Sequence, residues 1–453
     1  MRVVSPILFG GLLCAPLAVL ADEIQKKIPD PVFHGEVHYR VSGLDTAPTV
    51  ILVHGLGDKA SSDWNAVSAD LARDYRVVRF DLPGFGQSSK GNHAYTPDNY
   101  AKVLRSLVDR ESRVRPFFLV GHSMGGAIAL RYAALYPRDV KALVLVDVPA
   151  ILHRSVYTKH MVAFGLSGLV PGLNLGENEF LGAKLGSMTG KLERLPVPIE
   201  MAVQLAPLRQ RLLKGEPAKI AGLALALEDF SRDIDRVLTP TLLLWGDRDE
   251  IAPLRNGRVL AANLANARLE VLPGSGHVPM DDAPSLFNKQ LRAFLANPVV
   301  AERYNVLRDD GPLPASIRRG RCNGQRGQVF EGDYERIDIE GCEAVVLRAV
   351  RVGTVRVVSS KVSIEDSRIG GASGGLMAET SLLLITSSRL EGDPAIAAAD
   401  ARLDIAGSRL IGRAAAVTTR TMAEMACSVC QVESARHHGA LHGVRPVTPA
   451  SPI

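Results

Sequence analysis

Short apolar runs separated by polar, helix-compatible stretches recur from Gly35 to about Asn297. The runs Thr49–Val53, Arg76–Phe80, Pro116–Val120, Ala142–Val146 and Thr241–Leu244, followed by Leu269–Leu272, are β-branched or leucine-rich with little polar alternation. Strands of that kind are buried on both faces, and their alternation with helical segments predicts an α/β unit with a mostly parallel sheet covered on both sides. Helices are expected over Met124–Tyr136 and Ser285–Leu295. Between Val148 and Asp235 the alternation stops. This stretch holds Gly165-Leu166-Ser167-Gly168, Pro171-Gly172 and a helical pattern over Ile199–Leu213, and predicts an inserted helical lid at about 149–235. Its leucines and alanines argue against a disordered insertion. Its leucines, valines and methionines suit an apolar substrate, although the same residues would serve to pack the lid on the sheet.

Past Asn297 the pattern changes. Residues 298–316, with Pro312, Pro314 and Asp309-Asp310-Gly311, are expected to form a linker. From 319 to 420 short β-favouring runs recur around Asp366-Ser367-Arg368-Ile369-Gly370, Ser387-Ser388-Arg389-Leu390-Glu391-Gly392 and Gly407-Ser408-Arg409-Leu410-Ile411-Gly412. Ser367, Ser388 and Ser408 fall 21 and 20 residues apart. A repeat of that length predicts an all-β solenoid whose coils bury their apolar positions on one another, and the segment resembles the coils of right-handed parallel β-helices. Ile337-Asp338-Ile339-Glu340-Gly341-Cys342 reads as an earlier, less regular copy. An irregular β-sandwich is the alternative. The tail, 421–453, is expected to cap the solenoid or to be partly disordered.

The length of 453 residues fits two or three such units. The formal net charge of +5 is spread without a lysine or arginine block that would track a phosphate backbone, so nucleic acid is not an expected partner. Arg348, Arg351, Arg356, Arg389 and Arg409 in the repeats are nearly balanced by Glu365, Asp366, Glu379, Glu391 and Asp404. A solvated face is the simpler account of them, and an envelope polysaccharide is the partner such a module would otherwise take. Met1–Ala21 places Arg2 before an apolar run, Ile7–Leu20, and ends in Val19-Leu20-Ala21. That is the pattern of a signal peptide cleaved after Ala21, which predicts a secreted or periplasmic protein. The run is shorter than the roughly 20 residues of a membrane-spanning helix and contains Pro16. Cys14 lacks the small preceding residue that lipidation requires. Export would leave Cys322, Cys342, Cys427 and Cys430 in an oxidising compartment, where disulfides are the default and three pairings are open. A redox role for Cys427-Ser428-Val429-Cys430, or zinc binding together with His438 and His442, are the alternatives.

The chemistry is concentrated in three segments. Gly121-His122-Ser123-Met124-Gly125 has the form G-x-S-x-G between an expected strand and an expected helix, which lifts a serine hydroxyl above the sheet edge at a helix N-terminus. A serine hydroxyl needs a base and a group that orients the base. Trp245-Gly246-Asp247-Arg248-Asp249 ends a strand with carboxylates, and Gly274-Ser275-Gly276-His277-Val278-Pro279 follows the next with a histidine. Ser123 is the candidate nucleophile, His277 the base and Asp249 the orienting acid. Asp247 competes for the acid role, as does Asp147 at the end of the strand Leu143–Val146. His54-Gly55-Leu56-Gly57 leaves a strand where a loop donating to an oxyanion belongs, and the amides of Leu56 and Met124 are assigned to it. His54 and His122 are read as structural or pocket residues, and His153 and His160 either line the lid site or, as is commoner for histidines, are simply exposed or packed.

These segments, in the order Ser, Asp, His, together with Asp81-Leu82-Pro83-Gly84-Phe85-Gly86-Gln87-Ser88, resemble the α/β-hydrolase fold family over about Val32–Asn297, in the branch of carboxylesterases, lipases and carbon–carbon bond hydrolases. The resemblance favours Asp249 as the acid and implies a variable lid and no metal or organic cofactor. It implies no particular substrate; hydrolysis of a small or lipid-like ester is the leading expectation, with carbon–carbon hydrolysis, peroxide-dependent chemistry and an inactive binding scaffold as the alternatives. Serine at the elbow argues against the dehalogenase and epoxide-hydrolase chemistries, which the resemblance would associate with aspartate.

Overall fold

The computed structural model describes residues 23–111, 115–154, 200–301, 305–370 and 375–453. The expected signal peptide, His160 and the part of the expected lid at 155–199 lie outside the described residues.

The N-terminal unit carries an eight-stranded sheet in the order β1-β2-β4-β3-β5-β6-β7-β8. Its central strands are the ones expected from their apolar runs: β3 (Thr49–Val53), β4 (Arg76–Phe80), β5 (Phe117–His122), β6 (Val140–Val146), β7 (Thr241–Gly246) and β8 (Ala267–Leu272), all paired in parallel. Ahead of them β1 (Ile24–Pro29) and β2 (Glu36–Ser42) add an antiparallel edge. Polar residues concealed the edge strand β1, whereas β2, paired on both sides, alternates buried and half-buried positions. Helices α1 (Asn65–Leu71), α2 (Pro97–Glu111) and α3 (Met124–Leu135) cover the early strands. After β6 the described part of the inserted segment is helical, with α4 (Met201–Gln204), α5 (Ala206–Leu213), α6 (Pro217–Ala226) and α7 (Ser231–Arg236). The single helix expected over Ile199–Leu213 is broken at Leu205, whose extended backbone precedes Pro207 near the start of α5. Then α8 (Leu254–Asn263) follows β7, and α9 (Pro279–Asp282) and α10 (Pro284–Ala296) follow β8. The chain runs from β3 to β4 on one side and returns to β5 on the other, so a topological switch point lies between β3 and β5. Open α/β sheets bind ligands in the crevice beyond the strand ends at that point.

The C-terminal unit is a parallel solenoid, not a sandwich. Strand β11 (Val345–Val358) pairs in succession with β12 (Lys361–Glu365), β13 (Arg368–Gly370) and β14 (Leu376–Glu379). Each starts a ladder: β12 continues to β15 (Leu382–Thr386) and β18 (Ala401–Ala406), β13 to β16 (Arg389–Glu391) and β19 (Arg409–Ile411), and β14 to β17 (Ile396–Ala399) and β20 (Val417–Thr419). Ile364, Ile385 and Ile405 stack in register, as do Ile369, Leu390 and Leu410, and all six are fully buried. The recurring tripeptide marks one corner of each coil. Its first residue, Asp366, Ser387 or Gly407, has φ of +48°, +49° or +55°. Its serine joins the coils, since Ser388 Oγ accepts from the Ser367 amide and Ser408 Oγ from the Ser388 amide. At Gly407 the corner also touches the other unit, and a Cβ there would lie 2.7 Å from Asn263 Nδ2 in α8.

The arginines that follow these serines are not a solvated face. Arg368 and Arg389 are buried, and with Arg409 they form a row that holds the linker. Arg368 donates to the Gly311 carbonyl at 2.5 Å, Arg389 to Asp310 Oδ1 at 2.7 Å, and Arg409 to the Leu307 carbonyl at 3.3 Å. Earlier coils are supplied by β9 (Arg319–Asn323) and β10 (Val329–Glu340). Within residues 421–453, β21 (Ala423–Glu433) extends two of the ladders and β22 (His438–Val447) folds antiparallel on it. Of the four cysteines, Cys322 and Cys342 form a disulfide, whereas Cys427 and Cys430 are free thiols buried in the last coil, which corrects the expectation that all four pair. They point into the core that β21 closes, and no metal-holding group of side chains forms among the described residues.

The two units meet along α8 and the loop after β6. Arg255 bonds to Thr386 Oγ1 at 2.8 Å and pairs with Asp404 at 3.0 Å, Arg258 pairs with Glu365 at 2.5 Å, and the His153 amide donates to Ser428 Oγ at 2.8 Å.

Candidate active site

The candidate residues converge at the C-terminal edge of the sheet, beside the switch point. Ser123 sits between β5 and α3 with φ 52° and ψ −123°, a conformation that a non-glycine residue adopts only where its surroundings impose it. The imposition is local. The Ser123 amide donates to the Val146 carbonyl of β6 at 2.8 Å, and its carbonyl accepts from Gly126 at 2.9 Å. Gly125 lets α3 approach β3, since a Cβ there would fall 2.3 Å from the Val53 carbonyl oxygen. The hydroxyl thus stands over the N-terminal end of a twelve-residue helix, where negative charge is favoured.

The loop after β8 brings His277 to the serine, with Nε2 2.9 Å from Ser123 Oγ. Nδ1 of the same ring lies 2.8 Å from Asp249 Oδ2. Asp249 ends the β7 loop with its side chain wholly buried, and its other oxygen accepts from the amides of Ile251 at 2.8 Å and Ala252 at 2.9 Å. The loops are held by further carboxylates. Asp282 Oδ2 accepts from the Gly276 amide at 2.7 Å, and Asp247, the competing acid, accepts from Gly274 at 2.7 Å and makes a loop brace. Asp147, the other competitor, does not bond to His277 in the structure. It accepts from the Gly246 amide at 3.0 Å and lies against Asp249.

The loop that carries Leu56 follows β3 and lies against the serine, since a Cβ on Gly55 would come within 3.0 Å of Ser123 Cβ. Met124 is the first residue of α3. The two residues assigned to the oxyanion thus come from two elements beside the serine, Leu56 following Gly55 on the loop after β3 and Met124 following Ser123 at the start of α3. His54 is fully buried beneath this loop, with Nδ1 2.7 Å from the Gly55 carbonyl and Nε2 accepting from the Leu82 amide at 2.9 Å. It is a neutral bridge between the loops after β3 and β4. The second loop is secured by Asp81, which accepts from Gln87 and from both the amide and the hydroxyl of Ser61. Burial alone would raise Asp81, but these hydrogen bonds outweigh it and hold the carboxyl below its ordinary range.

Two roles had no sequence signal. His122, read as a pocket residue, reaches across to the His277 carbonyl with Nε2 at 2.7 Å, so it ties the histidine loop to the elbow. Trp64 closes over it edge-on, with ring centroids 6.3 Å apart. His153 stacks edge-on against His442 at 5.1 Å, at the junction with the solenoid. Such links join segments more than a hundred residues apart, and only their burial in the folded chain reveals them.

Burial pushes His54 down to about 4 and His122 down to about 3, from an ordinary 6.5. The sign of the consequence is fixed. Both folded values lie below the unfolded one, so the stability they carry is fully present above pH 6.5 and is lost as the pH falls toward 4. Each unit of difference is worth about 1.4 kcal/mol, so urea melts are expected to show a loss on the order of 5 kcal/mol by pH 4. A midpoint that stays flat from neutrality to pH 4 would contradict this account.

The alpha/beta hydrolase fold family model matches residues 48–284. An uncharacterized protein of Mycobacterium tuberculosis is 29% identical over 313 residues, covering 62% of this chain and 83% of that one. Lipase 3 of Moraxella sp. is 28% identical over 256 residues, covering 55% of this chain and 78% of that one. Among solved structures, a hydrolase from Pseudomonas aeruginosa aligns with a TM-score of 0.46 and 24% identity, over 60% of this chain and 98% of that one.

Proposed function

Since the chain belongs to the α/β-hydrolase fold family, we propose that it is an exported serine hydrolase that cleaves carboxylic esters of small or lipid-like molecules through an acyl-enzyme. The observation that carries this is the continuous chain from Ser123 Oγ through His277 to Asp249, at 2.9 and 2.8 Å, with the serine on a strained turn at a helix N-terminus.

In this mechanism His277 Nε2 takes the proton of Ser123 as Oγ attacks the ester carbonyl carbon. Asp249 keeps the imidazole proton on Nδ1 and steadies the imidazolium. The tetrahedral oxygen develops its charge between the Leu56 and Met124 amides, which are fixed by the loop on His54 and by α3 and need not reorganise. His277 then donates its proton to the departing alkoxide. Water, deprotonated by the same nitrogen, attacks the acyl carbon and frees the acid and the serine. Ester over other acyl chemistry is supported by the lipases among the relatives. The expected signal peptide supports export. Arg389 and Arg409, two of the arginines that would hold a polysaccharide, hold the linker instead, and the solenoid is proposed to brace the enzyme through α8 and the loop after β6.

Incubation with a fluorophosphonate is expected to label Ser123, as read by peptide mass, and Ser123→Ala and His277→Ala to abolish the label. Unlabelled protein should turn over a panel of p-nitrophenyl esters, and labelling should abolish that turnover. Well-folded wild-type protein that takes up no label would overturn the proposal.

A further inference from the structure

Asp147 stands one residue beyond β6 and is wholly buried, with φ of +46°. Its amide donates to the Leu244 carbonyl at 3.2 Å, and its Oδ1 accepts from the Gly246 amide at 3.0 Å, so the residue stitches the ends of β6 and β7 together. Its Oδ2 is buried with no N–H or O–H donor in reach. What that carboxyl meets is the carboxyl of Asp249. The other charged group facing it is also an acid, Asp282 of α9. Two ionised carboxylates side by side and out of water repel strongly, so the pair shares one proton at neutral pH.

The donors decide which member holds it. Asp249 accepts three, the amides of Ile251 and Ala252 and the ring N–H of His277. Asp147 accepts one. The anion belongs where the donors are, and the proton belongs on Asp147, where it also satisfies the orphaned Oδ2. We propose that Asp147 is a positioning residue that stays protonated and donates a hydrogen bond from Oδ2 to Asp249, fixing the carboxylate that orients His277. This rests on the proposed roles of Ser123, His277 and Asp249. Burial and the charge of Asp249 both hold the Asp147 carboxyl well above its ordinary range, in keeping with that assignment. By drawing charge from Asp249, the donor weakens the carboxylate's pull on the ring proton of His277.

The test is the acid limb of the pH profile of kcat/KM for a p-nitrophenyl ester, in wild type, Asp147→Asn and Asp147→Ala, with infrared spectra at pH 7. Asn keeps both contacts, its oxygen accepting from Gly246 and its amide donating to Asp249, so the limb should stay in place. Ala removes the donor, and the limb should move up by about one pH unit. Wild type should show the carbonyl stretch of a buried protonated carboxyl, and Asp147→Asn should lack it. A downward shift in both variants would mean that Asp147 is ionised, no shift in either that it is merely structural, and both results overturn the proposal. If Asp147→Ala fails to fold, the Asn limb and the infrared band decide. If wild type neither labels at Ser123 nor hydrolyses esters, the functional reading fails instead, and the band alone judges the proton.

Discussion

Replacing Ser123 by alanine is expected to lower kcat/KM for ester hydrolysis by about 10⁴- to 10⁶-fold, with the melting temperature nearly unchanged. The hydroxyl is the proposed nucleophile, and no other element of the site can supply the bond to the acyl carbon. His277→Ala should cost a similar factor, because a serine hydroxyl without a base in reach is almost wholly protonated. The informative measurement is the double variant. Residues that act as one unit lose their contribution once, so Ser123→Ala/His277→Ala should be within about tenfold of either single variant. The remaining rate would come from the two loop amides and from substrate binding. Activity retained within tenfold in either single variant would remove the acyl-enzyme mechanism.

The second large effect is expected at Asp249. Asp249→Asn should reduce kcat by about 10⁴-fold while the fold survives. An asparagine oxygen can still accept from Ile251 and Ala252, so the loop keeps its shape. The side-chain amide, however, would donate to His277 Nδ1 and move the imidazole proton to Nε2, where it blocks the serine from giving up its own. Asp249→Ala should add instability, since it leaves two buried amides unpaired at about 1–3 kcal/mol each. Paired kcat and urea-melt measurements separate these effects. Equal activity in Asp249→Asn and wild type would show that the acid role lies elsewhere, and Asp147 would be the first place to look.

Much of this arrangement was legible before folding. The bounds of β3 and β4 match the runs from which they were expected, because a strand buried on both faces draws mainly apolar or β-branched residues, and the two exceptions in β4, Arg76 and Arg79, are buried with their guanidinium groups bonded to the Glu111 and Ser61 carbonyls. The solenoid showed itself through Ser367, Ser388 and Ser408, whose spacing is the length of a coil and whose hydroxyls join one coil to the next. The edge strand β1 was not legible, since Lys26 and Lys27 interrupt any pattern. Nor were the roles of the arginines. Arg389 has the same composition signal as a solvated residue, yet it is buried under the linker and bonded to Asp310.

Local chemistry therefore determined the elements, the elbow and the candidates Ser123, His277 and Asp249, because turn geometry, strand burial and the glycines around an exposed nucleophile act over a few residues. Tertiary structure decided which groups share a proton or a hydrogen bond across long separations. It put Asp147 against Asp249, His122 on the His277 carbonyl, Cys322 rather than Cys427 or Cys430 into a disulfide, and the solenoid corner on α8. Those pairings depend on distance and burial in three dimensions, and the same residue types at the same sequence positions are compatible with many others.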